Sequence, residues 1–378
     1  MNLKKALRKK IGKYRREKKL RKRYDKFLGE AKAFMKICPC PELTADEIKA
    51  IDEYWARYGI KYYDYSWFRM YYGVTGIKDP GYVSKEVQVT IVQEYYNTKN
   101  LIKVYGDKNL FDMFLPGSPF PKSIVKCMAG YFYDGQQNYI SDREKVVDLI
   151  FDEREVILKD TWFTGGAKNV KKYHFESRDD VEKMLKEWSD SKNFLVQECI
   201  KQHDFFSKIN ESSVNIIRVN TWLHDGKVDI LTPVFRAGIP GSTTDICVVD
   251  GVKRGKLIGV TPDGHLRDKV IDFDGSIEPF ETVYPGFDRS VKIPAWDEIV
   301  SELKAASMKL PFFGIIGWDI TVDKDGKPVF IEYNVKEPGP HGSQLVNGPF
   351  FEDKTDEALS FLLSKKNQDK YIPGFMRA

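Results

Sequence analysis

An α+β protein with largely antiparallel sheets, preceded by a helical and strongly basic N-terminal segment, is the fold class the sequence predicts. Three observations point to it. From Pro116 onward, short runs rich in β-branched residues alternate with helical patterns. Two turn signals, His224-Asp225-Gly226 and Asp323-Lys324-Asp325-Gly326, separate apolar runs and mark antiparallel hairpins. Ahead of Pro116, apolar residues recur mainly at helical spacing.

Residues 3–28 read as a helix, with Leu3, Leu7, Ile11, Tyr14, Leu20, Tyr24 and Phe27 or Leu28 forming an imperfect apolar stripe on a basic cylinder. Residues 41–100 read as mainly helical, and Thr44 with Glu47 forms a capping-box signature for one helix start. The aromatic stretch from Tyr54 to Tyr72 suits a core better than a binding surface. Leu101–Tyr105 reads as a short apolar strand ending at Gly106. Strands are expected at 123–130, 155–159, 194–197, 215–223, 228–235, 315–322 and 329–333, with helices at 142–151, 177–189 and 296–310. This divides the chain into a basic extension (1–40), a mainly helical region (41–115), a first α+β unit (116–204) and a second (205–378).

Composition narrows the functional classes. At 378 residues the chain can bury a sizeable core, and no apolar run approaches the length of a membrane span. The N-terminus is too charged for a secretory signal, and the five scattered cysteines suit a reducing cytoplasm. Cys38-Pro39-Cys40 is too tight for a usual zinc pair and has no complementing Cys/His pair. Residues 1–26 hold 14 Lys and Arg against Glu17 and Asp25, whereas the whole chain is only +5. The body is therefore mildly acidic. The basic helix suits an anionic membrane surface or an acidic protein partner; alternatively it packs on its own acidic body. Nucleic acid is not expected, because nothing else in the chain looks like a reader of bases.

Four segments carry candidate chemistry. In Gly317-Trp318-Asp319 and Ile331-Glu332-Tyr333-Asn334 the hairpin sets Asp319 beside Glu332, and alternation puts Glu332 and Asn334 on one side. Two carboxylates and an amide oxygen are hard ligands of the kind Mg²⁺ prefers; two solvent-facing acids are the ordinary alternative. Lys159 ends a strand facing the Gly-rich turn around Gly165 and Gly166, a place where phosphates can sit, although the spacing is not a Walker A loop. The strand Phe194–Gln197 runs into Glu198, Cys199 and Ile200, whose backbone and carboxylate can receive an adenine edge. Arg218 lies inside an apolar strand, so it should meet a carboxylate or a phosphate, in a structural ion pair or a site.

In this order the four segments resemble the ATP-grasp superfamily, and most closely its sugar-transfer-associated branch. The resemblance covers about residues 105–365 and includes Gln202-His203 with Asn210, Ser213, Val214, Asn215 and Arg218, then Phe235-Arg236-Ala237-Gly238, then Ile293-Pro294-Ala295-Trp296-Asp297-Glu298 leading to Gly317-Trp318-Asp319. It implies two α+β subdomains that clasp ATP. By position, Lys108 and Lys159 would bind phosphates, Gly165 and Gly166 the triphosphate loop, and Gln197, Glu198, Cys199 and Ile200 the adenine. His203 or Asp204 would neighbour the ribose. Asp319, Glu332 and Asn334 would hold magnesium, two ions with manganese able to substitute, and Arg218 and Arg236 would face the γ-phosphate and an acyl-phosphate intermediate.

The chain departs from the branch's pattern at Thr164-Gly165-Gly166-Ala167-Lys168, at Ser242–Gly251 and at Val335–Gln344, and its first hundred residues do not read as the usual α/β domain ahead of the lid. The resemblance implies an ATP-dependent carboxylate–amine ligase that joins an amino acid or amine to an acidic sugar in cell-surface polysaccharide synthesis. It would work in the cytoplasm or peripherally at the inner membrane face. A kinase acting on a sugar or related metabolite, and a non-catalytic ATP-binding scaffold for a glycosyltransferase, are the alternatives.

Overall fold

The computed structural model describes residues 3–38, 40–162, 170–242, 244–249, 252–273 and 275–378. Helix α1 (Leu3–Met35) runs past the predicted end at residue 28 because Ala31, Phe34 and Met35 continue the packing face set by Tyr24 and Phe27. Helix α2 (Ala45–Ala56) starts at the expected box: Thr44 accepts from the Glu47 amide and Glu47 accepts from the Thr44 amide. Helix α3 (Ser66–Thr75) follows, and Trp55, Tyr58, Tyr62, Trp67, Phe68 and Tyr71 are buried, so the aromatic stretch is core.

The expected strand at Leu101–Tyr105 is instead a single helical turn, Ile102–Tyr105, closed by Tyr105 N–H donating to the Leu101 carbonyl. A short apolar run bounded by glycine has no intrinsic period, and among the described residues no strand pairs with it.

The first sheet contains β1 (Ser123–Met128), β2 (Tyr131–Asp134), β3 (Tyr139–Ile140), β4 (Glu155–Asp160), β5 (Val170–His174) and β6 (Phe194–Glu198), in the order β3-β2-β1-β6-β4-β5. Helices Arg143–Asp152 and Arg178–Glu187 close its core with Val146, Ile150, Val181 and Leu185.

The chain then forms β7 (Ile216–His224), β8 (Lys227–Ala237), a small pair β9 (Cys247–Val249) and β10 (Val252–Arg254), β11 (Lys256–Val260), β12 (Leu266–Asp272), β13 (Ile277–Pro279), β14 (Ile315–Val322) and β15 (Pro328–Asn334). Apart from β9 and β10 these make one antiparallel sheet in the order β13-β12-β11-β8-β7-β14-β15. Asp225 and Gly226 take positive φ (43° and 72°), the backbone of a tight primed turn that turns β7 into β8.

Alternation along these strands divides the larger sheet's two faces between two cores. Ile217, Val219, Phe235, Ile316, Trp318 and Ile320 pack with the helix Trp296–Met308. Trp222, Leu231, Val234, Leu257 and Ile315 pack against the N-terminal helical layer and the C-terminal Phe350, Leu359 and Leu362. No helix of the described residues is long and apolar enough to cross a membrane.

Asn97 ties the N-terminal layer to the sheet. Its buried amide donates to the Ile315 and Val335 carbonyls, both at 2.8 Å, and accepts from the Ile315 amide at 3.0 Å. Asn97→Ala strips the buried Ile315 amide and carbonyl of this partner, while the Val335 carbonyl keeps Gln93. It is expected to lower the unfolding free energy by roughly 2–3 kcal/mol, read from denaturant titration of the full chain.

Candidate active site

Arg218, Arg236 and Asp319 each lie between core-facing neighbours on their strands, so all three project toward the face that carries the N-terminal layer. Register places them in a row: Arg218 is opposite Asp319 across β7 and β14, and Asp319 is opposite Glu332 across β14 and β15. A register irregularity after Asp319 keeps Glu332 and Asn334 on the same face as that row.

The charged groups are paired at close range. Arg218 donates Nε and Nη2 to the two oxygens of Asp319 at 2.5 and 2.7 Å, and Nη1 to the Pro338 carbonyl at 3.0 Å. Gly317 makes that last contact possible, because a Cβ there would stand 2.4 Å from the Pro338 oxygen. Arg236 pairs with Asp245 at 2.6 Å and reaches Asp319 at 3.7 Å, while its buried Nε has no partner among the described residues. Asn334 Nδ2 lies 3.3 Å from Asp319 and 3.2 Å from Glu332, so three side chains converge on one place.

Two lysines face this row from outside the sheet. Lys108 begins the 3₁₀ turn Lys108–Leu110 and its Nζ is 3.4 Å from Glu332. That turn is held by Asp107, which accepts from the Asn109 amide and from Trp162 Nε1. Lys159, on β4 of the other sheet, is 7% exposed. Burial and the neighbouring Lys108 charge lower its pKa to about 8, against the opposing pull of Glu332. Burial would raise Glu332, but Lys108, Lys159 and Arg218 together hold it well below the usual carboxylate range. Four cations (Lys108, Lys159, Arg218, Arg236) thus face three carboxylates (Asp245, Asp319, Glu332), leaving an excess of positive charge that suits a polyanion.

A cavity opens beside the lysines, lined by Lys108, Phe111, Phe120, Lys159, Leu195, Gln197 and Ile331. Its walls come from both sheets and combine apolar side chains with the two lysines, Asp112 and Ser123. Gln197 is buried on β6 and donates to the Pro121 carbonyl at 3.2 Å. Glu198 ends that strand and accepts from the Lys122 amide at 2.6 Å; Cys199 and Ile200 follow, half-buried. Asp204 is exposed at the start of the turn Asp204–Ser207, which His203 caps by accepting from the Phe205 amide. Gln202 is a structural clasp: it donates to the Asn210 and Ser213 carbonyls and accepts from the Asn215 amide. Gly165 and Gly166 lie outside the described residues.

Two charged groups beside the site escape the reading of the sequence. Lys126, fully buried on β1, pairs at 2.5 Å with Asp112, which also borders the cavity. A lysine inside the apolar run Ser123–Met128 gives the same signal as Arg218 in its strand. Asp245, the partner of Arg236, comes from a loop with no local pattern to mark it, and burial raises its pKa against the pull of Arg236.

The converging oxygens of Asp319 and Glu332 fit a hard divalent cation. Asn334 turns its amide to both, and the flipped amide would present Oδ1 as a third oxygen ligand. A buried, partly neutralised row of this kind can hold phosphate oxygens and a cation together.

The combination of two antiparallel α+β layers, a cationic cavity between them and an acidic hairpin at its floor defines an ATP-grasp architecture. The chain belongs to the sugar-transfer associated ATP-grasp family, whose model matches residues 90–357. Among solved structures it is similar to N5-carboxyaminoimidazole ribonucleotide synthetase from Thermotoga maritima (14% identity, TM-score 0.36, 65% of this chain and 44% of that one). It is also similar to N5-carboxyaminoimidazole synthetase from Staphylococcus aureus complexed with ADP (11%, 0.38, 68% and 50%). A third is D-alanyl-alanine synthetase A from Vibrio cholerae (12%, 0.37, 70% and 66%). The chain spans 44–47% of the length of the first solved structures it matches. No curated protein matches it.

Breaking the Arg218–Asp319 pair exposes how tightly it is coupled. Arg218→Met strands a buried carboxylate and should cost about 3–5 kcal/mol of stability. Adding Asp319→Ala should recover part of that loss, giving a coupling energy above about 1 kcal/mol in a double-mutant cycle read by denaturant unfolding. Additive losses would contradict the pairing.

Proposed function

We propose that the chain is a Mg²⁺-ATP-dependent carboxylate–amine ligase that works through an acyl phosphate. The observation supporting this most is the row Arg218–Asp319–Glu332, with Lys108 and Lys159 facing it beside the cavity. In this reading residues 116–204 form the lid over ATP and residues 205–378 carry the metal and acceptor sites. Residues 41–115 wall the site, and residues 1–40 form the extension.

Adenine lies against Gln197, Glu198, Cys199 and Ile200, with Asp204 beside the ribose. Lys108 and Lys159 hold the phosphates, with Gly165 and Gly166 covering them. Asp319, Glu332 and Asn334 hold magnesium, which when bound neutralises charge on the transferring phosphoryl group. Arg218 keeps Asp319 oriented, and Arg236 faces the substrate carboxylate and the acyl phosphate formed from it. The carboxylate attacks the γ-phosphate, ADP leaves, and an amine then displaces phosphate to form the amide. The chain contributes positioning and electrostatics and uses no covalent nucleophile.

Forming the acyl phosphate takes no base, because a carboxylate is already anionic, and the proton the amine loses in the second step leaves on the departing phosphate. A kinase, by contrast, must take a proton from a hydroxyl. The three acids of the site, Asp245, Asp319 and Glu332, are each paired with a cation, which favours the ligase over the kinase. The family's sugar-transfer association suggests an acidic sugar as one substrate and an amino acid or amine as the other.

Turnover distinguishes the readings. Screening sugar acids against amino acids should find pairs that release ADP and inorganic phosphate together. A stable phosphorylated product without free phosphate would make the chain a kinase.

The pH dependence follows from Lys159. In the free site its pKa is about 8, and a bound phosphate favours the ammonium form, so ATP binding takes up a proton where the free lysine is partly neutral. Affinity should be flat in this respect below about pH 7 and weaken as pH rises beyond about 8. Calorimetry near pH 8.5 in buffers of different ionisation heat should show that uptake in the native chain and lose it in Lys159→Met.

A further inference from the structure

Among the described residues, the early part of α1 makes no polar contact with the body. From Arg16 onward the helix is tied to the body: Arg16 donates to the Lys370 carbonyl at 3.3 Å, and the Gly374 amide donates to Glu17 at 3.1 Å. Arg21 lies over the Phe375 ring at 4.9 Å, Arg23 pairs with Glu337 at 3.0 Å, and Tyr24, Phe27 and Ala31 are buried. Among the described side chains from Leu7 to Arg15, no hydrogen bond or ion pair reaches the rest of the chain. Leu7, Ile11 and Tyr14 are 59%, 43% and 69% exposed.

This stripe does not continue the packing face. At 3.6 residues per turn, Leu7, Ile11 and Tyr14 centre about 130° around the helix from Tyr24, Phe27 and Ala31. The three large apolar side chains therefore point away from the face that meets the body. Exposed Lys10 flanks the stripe on one side, and exposed Arg15 and Lys22 flank it on the other, each about 55–75° away. Residues 7–26 hold twelve Lys and Arg against Glu17 and Asp25.

We infer that this projecting segment docks on an anionic lipid surface. Leu7, Ile11 and Tyr14 enter the boundary between headgroups and acyl chains, and the flanking cations lie among the lipid phosphates. The charge pattern favours lipid over an acidic protein. An acidic groove would need carboxylates matched to particular positions, whereas positive charge here runs around the helix, which suits a diffuse plane of anions acting across a Debye length.

The docking does not depend on the proposed chemistry, but it has a consequence for it. Nine residues, about 14 Å of helix, separate Tyr14 from Arg23, and Arg23 pairs with Glu337 in the loop whose Pro338 carbonyl rests on Arg218. On the ligase reading, the segment leading out of the metal strand lies close to the membrane, where a lipid-carried acceptor would be presented.

The test is sedimentation of the full chain with phosphatidylcholine vesicles, with and without about one-third phosphatidylserine, at low and high salt. Leu7→Ser/Ile11→Ser serves as the variant, since both side chains are exposed and belong to no core cluster. Expected are binding to the anionic vesicles that weakens at least about tenfold in high salt or on neutral vesicles, and a further loss of about tenfold in the variant at unchanged thermal stability. Absence of binding to anionic vesicles would overturn the inference, as would binding unchanged in the variant. Capture by polyglutamate without vesicle binding would overturn it in favour of an acidic protein. ATP affinity measured on the same samples separates failure of docking from failure of the nucleotide reading.

Discussion

Arg218 and Asp319 meet across neighbouring central strands, both largely buried, with two parallel hydrogen bonds between a planar guanidinium and a carboxylate. Much of the site is arranged around that contact. It fixes the rotamer of Asp319, which in turn sets where the oxygens of Glu332 and the amide of Asn334 converge. The third donor of Arg218 pins the Pro338 carbonyl, so the chain leaving β15 is folded over the sheet at Gly317, where no Cβ stands in its way. A buried ion pair adds little to stability by itself, but removal of either partner is expensive, and this asymmetry keeps the geometry in place.

The N-terminal layer extends the same logic beyond the sheet. Gln93 donates to the Val335 carbonyl at 3.1 Å and also to the Lys336 carbonyl, Asn97 donates to Val335, and the Tyr71 hydroxyl meets His341 at 3.2 Å. Trp67 packs edge-on against the same histidine. Residues 335–341 are thus gripped from the helical side and from Arg218 at once. The helical layer is therefore part of the wall of the site as well as of the core.

How much of this was legible in the sequence depended on whether the signal was local. The acidic hairpin was readable because Gly317-Trp318-Asp319 and Ile331-Glu332-Tyr333-Asn334 flank a turn signal, and alternation then dictates which side chains share a face. Arg218 was readable because a charge inside an apolar strand must find a partner, though only the fold shows that the partner is Asp319. The Thr44 cap was readable from four adjacent residues. By contrast, Leu101–Tyr105 is too short for its apolar pattern to separate a turn of helix from a strand. Strands β9 and β10 are three residues each, and β11 joins the sheet through β8, so the loop between β8 and β11 that brings Asp245 to Arg236 carries no periodic signal. Nothing local could have announced it.

On the proposed reading, this row of charges is a Mg²⁺-ATP site. Calorimetric titration of ATP into the full chain, with and without magnesium, in the native protein and in Glu332→Ala, addresses it most directly. Magnesium-dependent binding is expected in the native chain and its collapse in the variant, with the variant still folded by circular dichroism. Failure of the native chain to bind ATP, or binding that survives in Glu332→Ala with its magnesium dependence intact, would contradict it.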